Sequence, residues 1–295
     1  MKHTLKMNLS EDTAKHLNDF ESHPAQPLPE PTKPIPVLSS VLPLKTSVHR
    51  DPCRVTVETR SDVGLVRKVN QDAVISASPL FGVADGMGGH KGGEIASAMC
   101  RDDLTAFLED KAVEGEMLVN AVKVVNRRIH IRSGETPELS GMGTTLTCMW
   151  LSRDTAYIAH VGDSRCYLLR DGVLTQLTSD HSMVMEMVRA GMITKEQAQT
   201  HPMRNVITRA IGTDRAIEVD LVEEKRRKGD IYLLCSDGLH GQLAEERIRE
   251  ILMEMDLSDA ADTLLKETLE KGAPDNVSLV LVCDEDETYA PEAGT

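Results

Sequence analysis

The sequence predicts an α+β fold: an antiparallel β-sandwich flanked by helix pairs, in α-β-β-α layers, with a small flap subdomain. Short apolar runs joined by tight turns, such as Asp171-Gly172, are typical of antiparallel strands. Helical periodicity comes in pairs of segments between the groups of strands. A chain of 295 residues with 40% hydrophobic residues can also bury a sizeable core.

The first group of predicted elements ends with a helix pair. Alternating or apolar runs predict strands over 54–59, 72–77 and 81–84. The spacing of apolar residues then predicts helices over 95–108 and 117–129, each with one apolar face.

A meander of short strands follows, and its predicted members are 144–151, 155–161, 165–170 and 173–177. Residues 181–215 break this rhythm with two short helical pieces and a polar link, which we interpret as an inserted flap. The remaining prediction is two strands, a helix pair and a last strand, over 217–223, 230–235, 245–255, 258–270 and 277–283.

Composition divides the chain into three parts. Residues 1–52 hold most of the prolines without sustained apolar periodicity, which predicts a flexible leader. Residues 53–284 form the predicted globular domain, and 285–295 an acidic tail. The leader lacks the apolar region of a secretory signal, and no apolar stretch is long enough for a membrane span. We therefore expect a soluble, cytoplasmic protein with no membrane partner.

Charge and cysteine usage exclude other classes. A formal net charge of −14 repels nucleic acid, so no nucleic-acid partner is expected. The six cysteines include no Cys-x-x-Cys pair, and none of the ten histidines pairs with another at helical spacing. This argues against zinc and redox exchange. A monomer is expected.

Five aspartates at or beside the ends of apolar runs are the candidate metal ligands: Asp72, Asp85, Asp163, Asp237 and Asp275. A carboxylate at the mouth of an apolar strand is costly to desolvate unless a cation compensates, and oxygen ligands suit Mg²⁺ or Mn²⁺. Any single Asp-Gly after a strand is more simply a turn. The repetition of the same layout along the chain favours a metal site.

The glycine-rich run from Asp85 to Gly93 could let the backbone approach an ion closely. A dinucleotide loop would need glycine at position 91, which is lysine, and a Walker loop needs a Gly-Lys pair that the chain lacks. Metal binding by Asp85 with a neighbouring carbonyl is the better interpretation.

Six motifs together resemble the metal-dependent protein phosphatases of the 2C type, and most of all their bacterial branch. The resemblance covers about residues 54–283. The motifs are Arg67-Lys68-Val69-Asn70-Gln71-Asp72, Asp85-Gly86-Met87-Gly88-Gly89, Gly143-Thr144-Thr145, Gly162-Asp163-Ser164-Arg165, Ser236-Asp237-Gly238-Leu239 and Asp275-Asn276-Val277-Ser278.

The resemblance implies two Mg²⁺ or Mn²⁺ ions bridged by Asp85, with the carbonyl of Gly86 on one of them. Asp237 and Asp275 would bind the other ion. Asp163, together with Asp237, resembles a third and looser metal site of the family.

The resemblance also implies roles around the ions. Arg67 matches the arginine that holds the substrate phosphate, for which a guanidinium fork is suited. Asp72 matches the residue that orients metal-bound water, and Asn276 is expected to support Asp275 from behind. The implied reaction is hydrolysis of phosphoserine and phosphothreonine in proteins by a water bridging the two ions, opposing a Ser/Thr kinase.

Two positions depart from the family pattern. Met87 stands where many members carry a histidine assigned as the general acid, and a thioether cannot donate a proton, so the acid stays unassigned. Gln71 replaces a glutamate that is frequent beside Asp72. We interpret His160 as structural and His181 as a turn or cap residue.

Two other functions are compatible with the same residues. One is a phosphatase-like binding module that recognises phosphoproteins without turnover. The other is hydrolysis of a small phosphate ester.

Overall fold

The computed structural model describes residues 54–88 and 92–285. The predicted leader at 1–52 lies outside the described residues, as does the predicted tail after residue 285. Residues 89–91 of the glycine-rich run also lie outside them.

Two antiparallel sheets form the centre of the domain. The strands of the first, called sheet I, are β1 (Val55–Asp62), β7 (Arg165–Arg170), β8 (Val173–Gln176), β10 (Ile231–Cys235) and β11 (Val277–Asp284), in the spatial order β1-β11-β10-β7-β8. Those of sheet II are β2 (Asp72–Ala77), β3 (Leu80–Met87), β5 (Leu146–Leu151), β6 (Thr155–Val161) and β9 (Asp220–Lys225), in the order β2-β3-β5-β6-β9. A two-residue strand, β4 (Gly143–Thr144), pairs with β3.

The layer between the sheets is apolar and buried. Each strand alternates its side chains between two faces, and the inward-facing set contributes Phe81, Met149, Ile158, Tyr232 and Val280 to this layer. The other face of each sheet is also apolar, so helices must cover it.

Helix pairs cover both outer faces. Sheet II packs against α1 (Gly92–Leu108) and α2 (Gly115–Ser133), and sheet I packs against α6 (Glu245–Glu254) and α7 (Leu257–Glu270). The predicted α-β-β-α order is therefore confirmed. Within the described ranges, no helix combines the length and apolar character that crossing a bilayer requires.

The flap region contains two short helices, α3 (Met183–Arg189) and α4 (Lys195–Gln199). Each begins at a side-chain cap, because Ser182 accepts a bond from the α3 backbone and Thr194 forms a capping box with Gln197. A β-bridge between Ser182 and Ile207 closes the base of this excursion.

Several boundaries differ from the sequence-based predictions. The strand predicted over 144–151 is interrupted at Thr145, which turns its polar groups toward Asp85. The strand predicted over 217–223 runs instead from Asp220 to Lys225, because its register is set by pairing with β6. A four-residue helix, α5 (Asp237–His240), was not predicted.

A buried ion pair joins the two sheets at the end where β9 and β11 finish. Arg226 follows β9, and its Nε and Nη2 donate to the carboxylate of Asp284 at 2.7 and 2.9 Å. The two side chains are only 3% and 1% exposed. Such a bidentate pair fixes the separation of the sheets at this end.

Candidate functional site

The five predicted aspartates all lie at the opposite end of the sandwich. Asp72 begins β2 and is the direct cross-strand partner of Asp85 on β3. Asp237 follows β10, and Asp275 precedes β11, which runs antiparallel to β10. Asp163 lies in the turn from β6 to β7, where the chain crosses from sheet II to sheet I. The topology thus brings together acidic residues that are far apart in sequence.

The backbone of Asp85 is held by Thr144, the last residue of β4, and by Thr145, which lies between β4 and β5. Its N–H donates to Thr145 Oγ1 at 3.0 Å, and its carbonyl accepts from Thr145 N–H at 2.8 Å and from Thr144 Oγ1 at 2.9 Å. A Cβ on the following Gly86 would lie 2.1 Å from the carbonyl oxygen of Gly93. Only glycine permits this approach of α1 to the strand.

Asp237 occupies the first position of α5. The residue after it, Gly238, must be glycine, as Gly86 must be after Asp85. A Cβ on Gly238 would lie 1.9 Å from the carbonyl oxygen of Asn276. Besides burial, the charge of Asp237 acts on the carboxyl of Asp85 and contributes to the rise of its pKa. Ser236, just before the helix, donates its hydroxyl to Asp72 Oδ2 at 2.8 Å. Residues from sheet I therefore reach the acidic pair on sheet II.

Arg67 lies at the mouth of the acidic group. Its Nη2 is 2.6 Å from Asp275 Oδ2, and it also feels the charges of Asp85 and Asp237. The side chain is 52% exposed, so the guanidinium is accessible from solvent. An exposed guanidinium in this position can bind an anion that approaches from solvent.

Asn276 contacts its neighbour differently from the predicted support. Its backbone N–H donates to Asp275 Oδ1 at 2.9 Å. Its side chain instead holds the segment that carries Arg67: Oδ1 accepts from Gln71 N–H at 2.8 Å, and Nδ2 donates to the carbonyls of Val63 and Val69 at 2.9 and 3.0 Å. Asn276 thus connects the Arg67 loop to Asp275.

Asp163 is 7% exposed, and the turn around it is bonded to two histidines. Gly162 N–H donates to His181 Nδ1 at 3.0 Å, and the Asp163 carbonyl lies 3.0 Å from His240 Nε2. His160 is buried beside this turn and bonds Thr147 Oγ1 at 2.9 Å. These contacts are structural in character.

The electrostatics of the site favour protonation in the absence of a cation. Burial, followed by the charges of neighbouring aspartates, raises the pKa of Asp72 to about 6 and that of Asp163 to about 8. The pKa of Asp237 rises to about 6, first through burial and then through Asp275, and that of Asp85 rises well above its usual value. Burial of like charges without a counterion is the common cause.

Three buried carboxylate oxygens, Asp72 Oδ1, Asp163 Oδ1 and Asp237 Oδ1, have no hydrogen-bond partner. Buried polar atoms are normally satisfied, so these oxygens call for a ligand. The donor set is entirely oxygen, which fits Mg²⁺ or Mn²⁺. As the side chains stand, no three acidic, histidine or cysteine residues of ranges 54–88 and 92–285 form a ready group around one ion. Asp275 is instead bonded to Arg67, and Asp72 to Ser236.

Sequence reasoning missed three contributors to the site. Ser236 directly precedes Asp237, His240 follows Asp237 by three residues, and Thr145 follows Gly143-Thr144. The first could have been suspected from the Ser-Asp-Gly motif, but no local pattern marks His240 as a partner of Asp163. Met87, opposite Gly143 at the end of β3, offers no proton donor.

Known proteins match both the sequence and the fold of this chain. The profile of the family "Protein phosphatase 2C" matches residues 66–272. The chain is 43% identical over 225 residues to the serine/threonine protein phosphatase PstP of Mycobacterium tuberculosis, covering 75% of this chain and 43% of that protein. The chain thus spans less than half the length of that relative.

Two further matches, one to another relative and one to a solved domain of PstP, cover nearly the whole length of the matched chain. The serine/threonine phosphatase stp of Listeria monocytogenes is 39% identical over 238 residues, which is 76% of this chain and 94% of that protein. The crystal structure of the catalytic domain of PstP in complex with two manganese ions superimposes with a TM-score of 0.73 at 39% identity, covering 79% of this chain and 99% of that one. From its acidic centre, its sheet order and these matches, the chain belongs to the protein phosphatase 2C family.

Proposed function

We propose that the chain is a Mg²⁺- or Mn²⁺-dependent phosphatase that removes phosphate from serine and threonine side chains of proteins. The observation that carries this proposal is the set of three unsatisfied carboxylate oxygens in one buried acidic centre beside an exposed arginine. The relatives named above are serine/threonine phosphatases, and one was solved with two manganese ions.

Asp85, Asp237 and Asp275 would hold two ions, with the carbonyl of Gly86 as a further ligand. Asp163, with Asp237, would hold a third. When bound, such ions lower the pKa of a water molecule and offset charge on phosphoryl oxygens.

The remaining residues position substrate and water. The Arg67 guanidinium can bind two phosphate oxygens through its parallel N–H groups. Asp72 is fixed through the bond from Ser236 to its Oδ2, so its free Oδ1 can accept a hydrogen bond from a water molecule and orient it. Asn276 keeps the Arg67 loop in place. No nucleophile from the protein is required, and Met87 cannot protonate the leaving alkoxide.

The test is phosphate release from a phosphothreonine peptide with Mn²⁺ and after thorough chelation. We expect release that requires the ion. Activity that survives chelation undiminished would contradict the proposal. D237N should lose at least about 100-fold in rate, since removal of a ligand costs more than the 10–100-fold typical of its supporting residues. The matched control is D171N, the same change in a hairpin turn where the side chain is 84% exposed.

Two alternatives have distinct outcomes in this assay. A binding module would retain the phosphopeptide without releasing phosphate. A hydrolase of small esters would act faster on a small phosphate ester than on the peptide. We further propose that the phosphatase opposes a Ser/Thr kinase in the cytoplasm as a monomer, with residues 53–284 as its catalytic domain.

A further inference from the structure

Two imidazoles hold the turn that carries Asp163. Gly162 is bonded twice to His181: its N–H donates to Nδ1 at 3.0 Å, and its carbonyl accepts the His181 backbone N–H at 2.7 Å. On the other side, the carbonyl of Asp163 lies 3.0 Å from Nε2 of His240. Both peptide groups next to the Asp163 side chain are therefore fixed by histidines from different elements.

The two rings have opposite roles toward the turn. Nδ1 of His181 faces a backbone N–H and must be an unprotonated acceptor, so its proton is on Nε2, which lies 3.2 Å from Asp220 Oδ2. Nε2 of His240 faces a carbonyl oxygen and must carry the proton. His240 is also the last residue of α5, the helix that Asp237 begins, so its bond links the two aspartates.

The turn is fixed against Asp85 as well. Gly162 has a φ of +112°, and a Cβ there would lie 2.6 Å from the Thr145 side chain. Thr145 Oγ1 in turn bonds Ser164 Oγ at 2.8 Å and accepts the Asp85 N–H. The Asp163 carboxylate is nearly buried, and its Oδ1 contacts no donor, so its direction depends on the backbone of the turn.

We propose that His181 and His240 are positioning residues for the outer ion site, and that they hold the Gly162–Asp163 turn so that the Asp163 carboxylate faces Asp237. This inference rests on the proposed function, in which Asp163 and Asp237 share a third ion. Neither histidine touches the ion or the substrate. Their loss weakens the outer site selectively.

The experiment is calorimetric titration of the full chain with Mn²⁺, which gives the affinity of each site without turnover. D163N is expected to lose the weakest site. H240L should weaken that site by about tenfold or more, the usual cost of removing a residue that orients a ligand, and leave the tighter sites unchanged. H240Q should recover most of the affinity, because its amide can donate to the same carbonyl. H130L is the matched control, since His130 Nδ1 lies 3.1 Å from a different carbonyl, that of Gly212.

Three outcomes with H240L would overturn the inference: a weakest site unchanged in H240L, an equal weakening of all sites, or a further loss when H240L is added to D163N. If H240L does not fold, H181L compared with H181N gives the same test, because the asparagine side-chain oxygen takes the place of Nδ1 as the acceptor for Gly162 N–H. Unchanged binding by D163N would also overturn it. The proposed function would remain standing in each of these cases if the wild type hydrolyses the phosphopeptide and D237N does not.

Discussion

Asn276 is the residue whose removal should be felt both in stability and in substrate binding. Its side chain is buried at 4% exposure and makes three hydrogen bonds to backbone groups of the segment that carries Arg67. These bonds tie residues at both ends of that segment, Val63 at one end with Val69 and Gln71 at the other. N276A removes all three bonds and leaves three backbone groups without their partner.

The expected magnitude follows from the count of bonds. A net contribution of about 1 kcal/mol for each gives a loss of about 3 kcal/mol in the free energy of unfolding. For a domain of this size, that loss lowers the melting temperature by about 6–12 °C. Because the Arg67 guanidinium loses its fixed position, KM for a phosphopeptide should rise more than kcat falls.

Urea denaturation and steady-state kinetics measure these two effects separately. K68A is the matched control, because Lys68 is exposed in the same segment and its side chain makes no hydrogen bond to any of residues 54–88 and 92–285. An N276A protein within about 0.5 kcal/mol of wild type would refute the reasoning about stability. An unchanged KM beside a full loss of stability would show that the loop does not position Arg67.

Three further predictions concern the packing and charge of the domain. D284N removes the negative charge from the buried ion pair with Arg226 and should cost about 3–5 kcal/mol in urea denaturation. A loss below about 1 kcal/mol would contradict the stated role of the pair. G238A places a Cβ 1.9 Å from a backbone oxygen and should lower the melting temperature strongly. The control G134A should not, because the atom nearest to its added Cβ is 3.5 Å away. Equal melting temperatures of the two variants would contradict the prediction. With a chelator present, Asp72 should contribute stability that is full below pH 3.8 and is lost as the pH rises through about 6, because burial raises the pKa of its carboxyl in the folded protein. D72N should therefore flatten this part of a plot of melting temperature against pH. An unaltered slope would contradict this prediction.

The layers of the fold and the acidic edge could be predicted from the sequence, because both depend on local patterns. Apolar runs alternate or repeat at helical spacing within each element, and each of the five aspartates stands at the end of such a run. In the structure, the antiparallel pairing of β2 and β3 places Asp72 opposite Asp85. The family matches confirm the resemblance drawn from six motifs.

The roles of individual supporting residues could not be predicted, because they arise from contacts between distant segments. Asn276 bonds Gln71 across 205 positions, and His240 meets Asp163 across 77. Nothing in the local sequence distinguishes a side chain that turns toward its neighbour from one that turns toward another strand. The break at Thr145 has the same origin, since its hydroxyl is drawn to Asp85 from 60 positions away.

The placement of the acidic residues on both sheets has a consequence for how the molecule can be tuned. Asp72 and Asp85 lie on strands of one sheet, whereas Asp237 follows a strand of the other and Asp275 precedes another strand of it. The separation of these two pairs therefore depends on the apolar layer between the sheets. Side chains such as Phe81 and Tyr232, which fill this layer, therefore influence the distance between the two pairs of aspartates. Making these core side chains smaller or larger would change the spacing of the aspartates, and with it the reaction, without a substitution among the aspartates themselves.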